Sequence, residues 1–162
     1  MNNEPVDILV VENNDNERDS IVAALQETIP GVQVVAVHDG EEALDFLCAR
    51  GAWTDRDGAE LPKLILLDLV LPGVDGFSLL RDIRSLESQD PLTCTPVIIF
   101  SDSQTRSDIT ESYRYDVNSF IVKPSSLKEF QAVVTATAQY WLTVRKDISN
   151  YIEKKPEHIT AR

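Results

Sequence analysis

The sequence predicts an α/β fold in which five parallel strands form one doubly wound sheet. Short apolar segments alternate along the chain with segments whose apolar residues follow the helical period. Residues 64–67 are all branched and apolar, which is typical of a strand buried on both faces of a parallel sheet. Strict alternation with short connections implies right-handed crossovers, and these place helices on both faces of the sheet.

The positions of the elements follow from the hydrophobic pattern and from helix-capping residues. Strands are expected at 6–11, 32–37, 64–68, 96–100 and 119–122. Four helices begin after a residue whose side-chain oxygen can accept from the free amides of the first turn. These residues are Asn14, Asp39, Asp75 and Ser126. The fourth helix is expected at 108–115, residues 50–62 form a loop, and the last helix ends near Val144.

The size and charge of the chain limit what it can bind. With 162 residues it is long enough for one domain and a short tail, but not for a second folded domain. A formal net charge of −12 argues against nucleic-acid and anionic-membrane partners, because both surfaces repel an acidic protein. The two cysteines form no Cys-x-x-Cys pattern, and no leader segment or bilayer-length apolar run is recognisable. We therefore expect a cytoplasmic protein.

Polar residues follow four of the predicted strands. They are Glu12 and Asn13 after the first strand, Asp68 after the third, Ser101 after the fourth and Lys123 after the fifth. Because the carboxyl ends of parallel strands meet at one edge of a sheet, these side chains should converge there. Carboxylate and amide oxygens suit magnesium, while a hydroxyl and an ammonium suit phosphate oxygens. The sequence therefore predicts a site for a hard cation and a phosphoryl group.

A single acid at a strand end, such as Asp68, more often does no more than end the strand. The other polar strand ends favour a functional site, because a buried cluster of this kind is costly when it is only structural. The sequence shows no Cys/His set for zinc, no glycine-rich phosphate loop and no motif that would place a histidine base beside Ser101.

Four motifs around these residues carry a family resemblance. They are Val-Val-Glu-Asn at 10–13, Leu-Leu-Asp-Leu at 66–69, Leu-Pro-Gly-Val-Asp-Gly at 71–76 and Phe-Ile-Val-Lys-Pro at 120–124. In these motifs the sequence resembles the receiver domain of bacterial two-component response regulators. The resemblance covers about residues 6–144 and implies a flavodoxin-like receiver fold with strand order 2-1-3-4-5. Residues 145–162 are then a C-terminal extension, without a separate output domain.

The resemblance implies a role for each residue of the predicted site. Asp68 would accept a phosphoryl group from a sensor histidine kinase. Ser101 would hold a phosphoryl oxygen, Lys123 would pair with the phosphate, and Phe120 would reorient together with Ser101 on activation. The protein would be a phosphoacceptor switch and not an enzyme, limited to self-phosphorylation from small donors and self-dephosphorylation.

The same resemblance implies a magnesium site. Its ligands would be Asp68, the residues Glu12 and Asn13 at the end of the first strand, and the main-chain carbonyl of Val70. Members of the family usually have a second acid where this chain has Asn13, and an amide offers one oxygen but no charge. We therefore expect weaker magnesium binding, unless Asn13 only caps the loop after Glu12.

A second departure from the family follows Ser101. The family usually has a small residue there, whereas this chain has Asp102, whose carboxylate would stand beside the incoming phosphate. Like charges at that position would oppose phosphorylation. The alternative, held equally open, is that Asp102 only caps the fourth helix.

A narrower resemblance is to the stand-alone regulators that partner bacterial phytochrome kinases. It rests on Asp-Gly-Glu-Glu-Ala-Leu-Asp-Phe-Leu at 39–47, the loop around Trp53 and Tyr-Trp-Leu at 140–142. It implies a phytochrome as the partner kinase. The main rival hypothesis is a degenerate receiver that binds proteins without being phosphorylated, which Asn13 and Asp102 favour. A magnesium-dependent phosphatase ranks last, because such enzymes usually carry a second acid at the position of Val70.

The last helix carries two apolar stripes. The stripe expected to pack on the sheet contains Leu127, Phe130, Val134, Thr137 and Trp141. The stripe left over contains Val133, Ala136, Tyr140 and Val144. Exposed apolar patches with large aromatic residues usually mark an interface, so we expect a two-fold homodimer built on this helix and its neighbouring strand and helix. The alternative is that residues 145–162 fold back and cover the second stripe.

Overall fold

The computed structural model describes residues 5–86 and 90–152, with side chains as far as residue 143. It contains a five-stranded sheet in the order β2-β1-β3-β4-β5, in which every pair of neighbours is parallel. The strands are β1 (Ile8–Val11), β2 (Val34–Val37), β3 (Leu64–Leu67), β4 (Val97–Ser101) and β5 (Ser119–Val122). The predicted fold class and strand order are confirmed.

Five α-helices connect and flank the strands. They are α1 (Asp15–Thr28), α2 (Gly40–Leu47), α3 (Gly76–Arg84), α4 (Arg106–Arg114) and α5 (Leu127–Ile152). The predicted loop 50–62 contains a short 3₁₀ helix, Gly51–Trp53, and a second one, Pro91–Cys94, precedes β4. None of the helices in the described ranges is long and apolar enough to cross a membrane.

The predicted capping residues begin their helices as expected. The side chains of Asn14, Asp39, Asp75 and Ser126 each accept a hydrogen bond from the backbone amide three residues further on. The fourth helix begins two residues earlier than predicted, because Thr105 is its cap and accepts from the amide of Asp108. Asp102 is exposed and is not that cap, so the capping alternative for Asp102 is wrong.

The core has two layers, one on each face of the sheet. Alternate residues of each central strand enter opposite layers, so that Leu9 packs on the side of α2 and α3 while Ile8 packs on the side of α1 and α5. The residues of β1, β3 and β4 are completely or almost completely buried. This double burial explains why those strands are continuous apolar runs with no polar alternation.

The last helix differs from its prediction in length. It continues to Ile152, beyond the expected end at Val144, because neither glycine nor proline occurs between Pro124 and Pro156. Residues 145–152 therefore extend α5 and do not fold back over it. Residues 153–162 and the side chain of Val144 lie outside the described part of the chain.

The packing stripe of α5 also needs correction. Phe130, Val134 and Ala138 are the buried residues, whereas Leu127 is 61% exposed. Side chains on a helix lean toward its N-terminus, so Leu127, the first residue of α5, extends away from the packed turns. Val133, expected to be left over, is half-buried and packs against the core on the α1 side.

Candidate functional site

The pairing of the strands brings four polar strand ends to one edge of the sheet. Val11 pairs with Leu67, and Ser101 pairs with Val122. Glu12, Asp68 and Lys123 each follow one of these paired strands directly, so they leave the sheet at the same edge as Ser101.

Lys123 is the centre of the hydrogen-bonded cluster. Its Nζ donates to Glu12 Oε2 at 2.8 Å, to Asp68 Oδ2 at 2.9 Å and to Glu17 Oε2 at 2.5 Å. The side chains of Lys123 and Glu12 are both 3% exposed, and that of Asp68 is 8% exposed. An ammonium has three donors, and here all three are used.

Each of the two buried carboxylates is held at both oxygens. Asp68 Oδ1 accepts from the amide of Val70 at 3.1 Å, and Glu12 Oε1 accepts from the amide of Asn14 at 2.9 Å. The remaining oxygen of each carboxylate contacts Lys123. The two acids are therefore fixed in orientation before any ligand binds.

Burial and charge set the protonation of the cluster. Burial raises the pKa of Glu12 to about 7, although hydrogen bonds from Lys123 and from the amide of Asn14 act in the opposite direction. Burial by itself would lower the pKa of Lys123, but its hydrogen bonds to Glu12, Glu17 and Asp68 outweigh this and raise the pKa. Lys123 is therefore charged at neutral pH.

Close packing around Asp68 depends on Gly76, the first residue of α3. A Cβ atom built there would lie 2.5 Å from the carbonyl oxygen of Asp68 and 2.7 Å from Cα of Leu69. The amide of Gly76 donates to the carbonyl of Leu69 at 3.1 Å. The absence of a side chain at Gly76 lets the start of α3 lie directly against the end of β3.

Ser101 lies at the same edge but has a different partner. It is fully buried, and its Oγ accepts from the amide of Ser103 at 3.2 Å. Ser103 in turn donates from its own hydroxyl to Asp108 in the first turn of α4. The hydroxyl of Ser101 is thus linked to the start of α4 and is not hydrogen-bonded to Asp68 or Lys123.

The other residues named from the sequence take different positions. Phe120 is half-buried against the core on the α2 and α3 side. Asn13 and Asp102 are exposed, and the side chain of Val70 is 71% exposed beside Asp68. Of the predicted set, the side chains of Glu12, Asp68 and Lys123 are joined by hydrogen bonds, and the backbone amide of Val70 donates to Asp68.

Glu17 is the residue of the cluster that sequence reasoning missed. In the sequence, Glu17 stands three residues after Asn14, where it completes a helix-capping pattern, and its amide does donate to Asn14. Its carboxylate, however, binds Lys123, more than a hundred residues away in the chain. The available signal was an acid in the first turn of a helix that starts directly after Glu12.

The residues at this edge fit a magnesium ion in donor type. No group of three His, Cys, Asp or Glu side chains in the described ranges is arranged to hold a metal ion. Magnesium, however, keeps several waters and is commonly held by only one or two carboxylates. Glu12 and Asp68 supply two, and oxygen donors of Asn13 and Val70 are adjacent in the chain.

A family model for the response regulator receiver domain matches residues 8–135. The chain belongs to the response regulator receiver family. Among curated proteins it is 32% identical to the probable methanogenesis regulatory protein FilR2 of Methanothrix harundinacea, over 86% of this chain and 85% of that protein. It is 30% identical to the response regulator Rcp1 of Synechocystis, over 86% of this receiver and 91% of Rcp1.

Several solved structures of phytochrome response regulators are similar to this receiver. The phosphorylated cyanobacterial phytochrome response regulator RcpA has a TM-score of 0.78 and 33% identity, covering 87% of this chain and 96% of RcpA. The bacteriophytochrome response regulator AtBRR has a TM-score of 0.68 and 35% identity, covering 87% and 94%. A Mn²⁺-bound form of Rcp1 has a TM-score of 0.76 and 29% identity, covering 85% and 95%. The receiver is therefore similar in sequence and in fold to phytochrome response regulators.

Proposed function

We propose that this receiver accepts a phosphoryl group on Asp68 from a sensor histidine kinase, with a phytochrome as the kinase. The observation that carries the proposal is the buried carboxylate of Asp68 at the end of β3, with the ammonium of Lys123 2.9 Å from Oδ2. A carboxylate oxygen attacks phosphorus and the P–N bond to the kinase histidine breaks. The imidazole nitrogen leaves with the electron pair and takes up a proton, and an acyl phosphate remains on Asp68.

The ammonium of Lys123 has a defined task in this step. It already donates to Asp68 Oδ2, so a phosphoryl group on that carboxylate would lie within reach of its positive charge. The raised pKa of Lys123 keeps this ammonium protonated. The amide of Val70 holds the second oxygen of Asp68 and keeps the carboxylate oriented. No side-chain base is needed, because the nucleophile is already an anion.

Magnesium is the cation we propose for the site. Glu12, Asp68, Asn13 and the carbonyl of Val70 would hold it. When bound, the ion neutralises negative charge on the phosphoryl oxygens. Support comes from the charge balance, since three carboxylates surround the single ammonium of Lys123 and leave an excess of negative charge in a mostly buried place.

The response to phosphorylation is proposed to run through Ser101. Its hydroxyl can turn toward a phosphoryl oxygen on Asp68, and that movement would weaken its contact with the amide of Ser103. Because Ser103 is tied to Asp108, a change at Ser101 reaches the first turn of α4. Phe120, half-buried on β5 beside Ile99, would reorient into the space that Ser101 leaves.

Intact mass spectrometry after incubation with Mg²⁺ and a small phosphodonor such as acetyl phosphate tests the acceptor role. We expect an adduct of one phosphate that is absent from Asp68→Asn and retained in Asp19→Asn, an exposed acid of α1. A wild type that stays unmodified, while its kinase or another partner still binds, would identify a phosphorylation-independent binding module instead.

A further inference from the structure

Glu17 is the third carboxylate that contacts Lys123, and it does not lie at a strand end. It lies in the first turn of α1, and its Oε2 is 2.5 Å from Nζ of Lys123. Its side chain is 33% exposed, compared with 3% for Glu12, so it closes the cluster on the side facing solvent. An ion pair at the surface usually contributes little to stability. In this pair, however, the cation is the buried ammonium that also contacts Asp68.

The donors of Lys123 show what this contact does. Glu12, Glu17 and Asp68 each occupy one of its three N–H groups. When Asp68 carries a phosphoryl group, the N–H that faces Asp68 Oδ2 is free to turn to a phosphoryl oxygen. Glu12 and Glu17 keep the other two, so the ammonium stays in place. Without Glu17, one N–H would face solvent and Nζ could move.

Glu17 also changes the charge of the site. Asn13 is neutral and exposed, and Glu17 follows it four residues later, in the first turn of α1. With Glu17 the cluster has three carboxylates and one ammonium. This is the charge that the site would have with an acid at position 13 and no acid at position 17.

We propose that Glu17 is a positioning residue that holds Lys123 against Asp68 and supplies the negative charge that Asn13 lacks. The inference rests on the proposed function of Asp68 as phosphoacceptor. Its two parts are separable, because the first concerns the ammonium of Lys123 in the metal-free protein and the second concerns the affinity for a divalent cation.

The first experiment observes the Lys123 ammonium directly by ¹⁵N NMR of lysine side chains in metal-free protein. A signal from ammonium protons protected against exchange is expected in the wild type and in Asp19→Asn. In Glu17→Gln, which has nearly the same shape, the protons should exchange markedly faster. Backbone amide spectra show whether each variant is folded. Equal exchange in folded Glu17→Gln and in the wild type would overturn the positioning role.

The second experiment titrates Mg²⁺ while the amide shifts of Asn14 and Val70 are recorded. Loss of one nearby charge in Glu17→Gln should weaken binding about tenfold, and adding Asn13→Asp to that variant should restore it. Asp19→Asn, which removes one charge from the same helix, should bind like the wild type. An equal loss in Asp19→Asn, or no recovery with Asn13→Asp, would refute the charge replacement.

The outcome for Glu17 can be distinguished from that for the proposed function. If the wild type never forms a phosphate adduct, the acceptor role of Asp68 is refuted, while both NMR experiments still test the role of Glu17. Alternatively, the wild type could be phosphorylated at Asp68 while Glu17→Gln is unchanged in lysine exchange, in Mg²⁺ affinity and in phosphorylation rate. That result would refute the role of Glu17 and leave the acceptor role of Asp68 intact.

Discussion

In the proposed magnesium site, the neutral side chain of Asn13 is expected to limit the affinity for a divalent cation. Magnesium affinity depends on the number of anionic oxygens around the ion, and an amide contributes none. We predict that Asn13→Asp, with Glu17 unchanged, tightens Mg²⁺ binding about tenfold and raises the rate of phosphorylation by acetyl phosphate. Titration of amide shifts with Mg²⁺ measures the first effect and intact mass against time the second. Equal affinities in the two proteins would mean that Asn13 is not at the metal.

The raised pKa of Glu12 predicts that the free energy of unfolding of the metal-free protein depends on pH. Its pKa is raised from 4.5 to about 7 because burial favours the neutral form. The stabilisation from a protonated Glu12 is therefore complete below pH 4.5 and is lost as the pH rises through 7. Relative to Glu12→Gln, the wild type should lose about 1–3 kcal/mol of unfolding free energy across that interval. Urea unfolding in EDTA at several pH values measures this, and parallel curves for the two proteins would contradict it.

At the scale of single elements, Arg84 joins three segments at the opposite end of the sheet. From the end of α3, Nη1 donates to the carbonyls of Thr93 and Thr95, and Nε donates to the carbonyl of Asp116. Nη2 donates to the side chain of Asn118, which also accepts from the first amide of β4. One guanidinium thus connects a 3₁₀ helix, the start of β4 and the loop before β5.

We predict that Arg84→Met destabilises the fold by about 2–3 kcal/mol, because partly buried carbonyls lose a charged donor. Arg81→Met is the matched control, since Arg81 lies on the same helix, is 55% exposed and forms an ion pair at 4.0 Å with the neighbouring Asp82. Urea unfolding of the two variants measures the difference. A loss in Arg84→Met no larger than that in Arg81→Met would show that the connection is not stabilising.

Local signals predicted the strands and most of the helix starts, but not the start of α4 or the long-range contacts. A capping side chain acts within three residues, so Asn14, Asp39 and Asp75 could be read directly from the sequence. Glu17 and Arg84, in contrast, contact segments that are distant in the chain. The hydrophobic pattern does not indicate which acid or arginine will contact which of these segments. The burial of Ala138 in place of Leu127 was missed for a related reason, since it depends on where the sheet meets the helix.

At the scale of the whole molecule, the described residues leave an apolar part of the α5 surface exposed. Tyr140 is 61% exposed, and Ala136, one turn earlier, is also exposed. The ring of Tyr140 lies edge-on against Trp141, with centroids 5.5 Å apart. Residues 145–152 continue the helix, so no backbone segment among the described residues folds back over this surface. These features support a two-fold homodimer in which α5 faces its copy, with Val133 at the edge of the contact and Val144 further along the helix.

We predict that the wild type sediments as a dimer at micromolar concentrations and that Tyr140→Glu sediments as a monomer. In a two-fold interface the same residue contributes from both chains, so one substitution brings two unpaired carboxylates to the contact. Leu86→Glu is the control, because Leu86 is an exposed apolar residue that follows α3, on the opposite face of the sheet from α5. It should remain dimeric. A monomeric wild type, or a Tyr140→Glu protein that associates as strongly as Leu86→Glu, would rule out an interface on this face of α5.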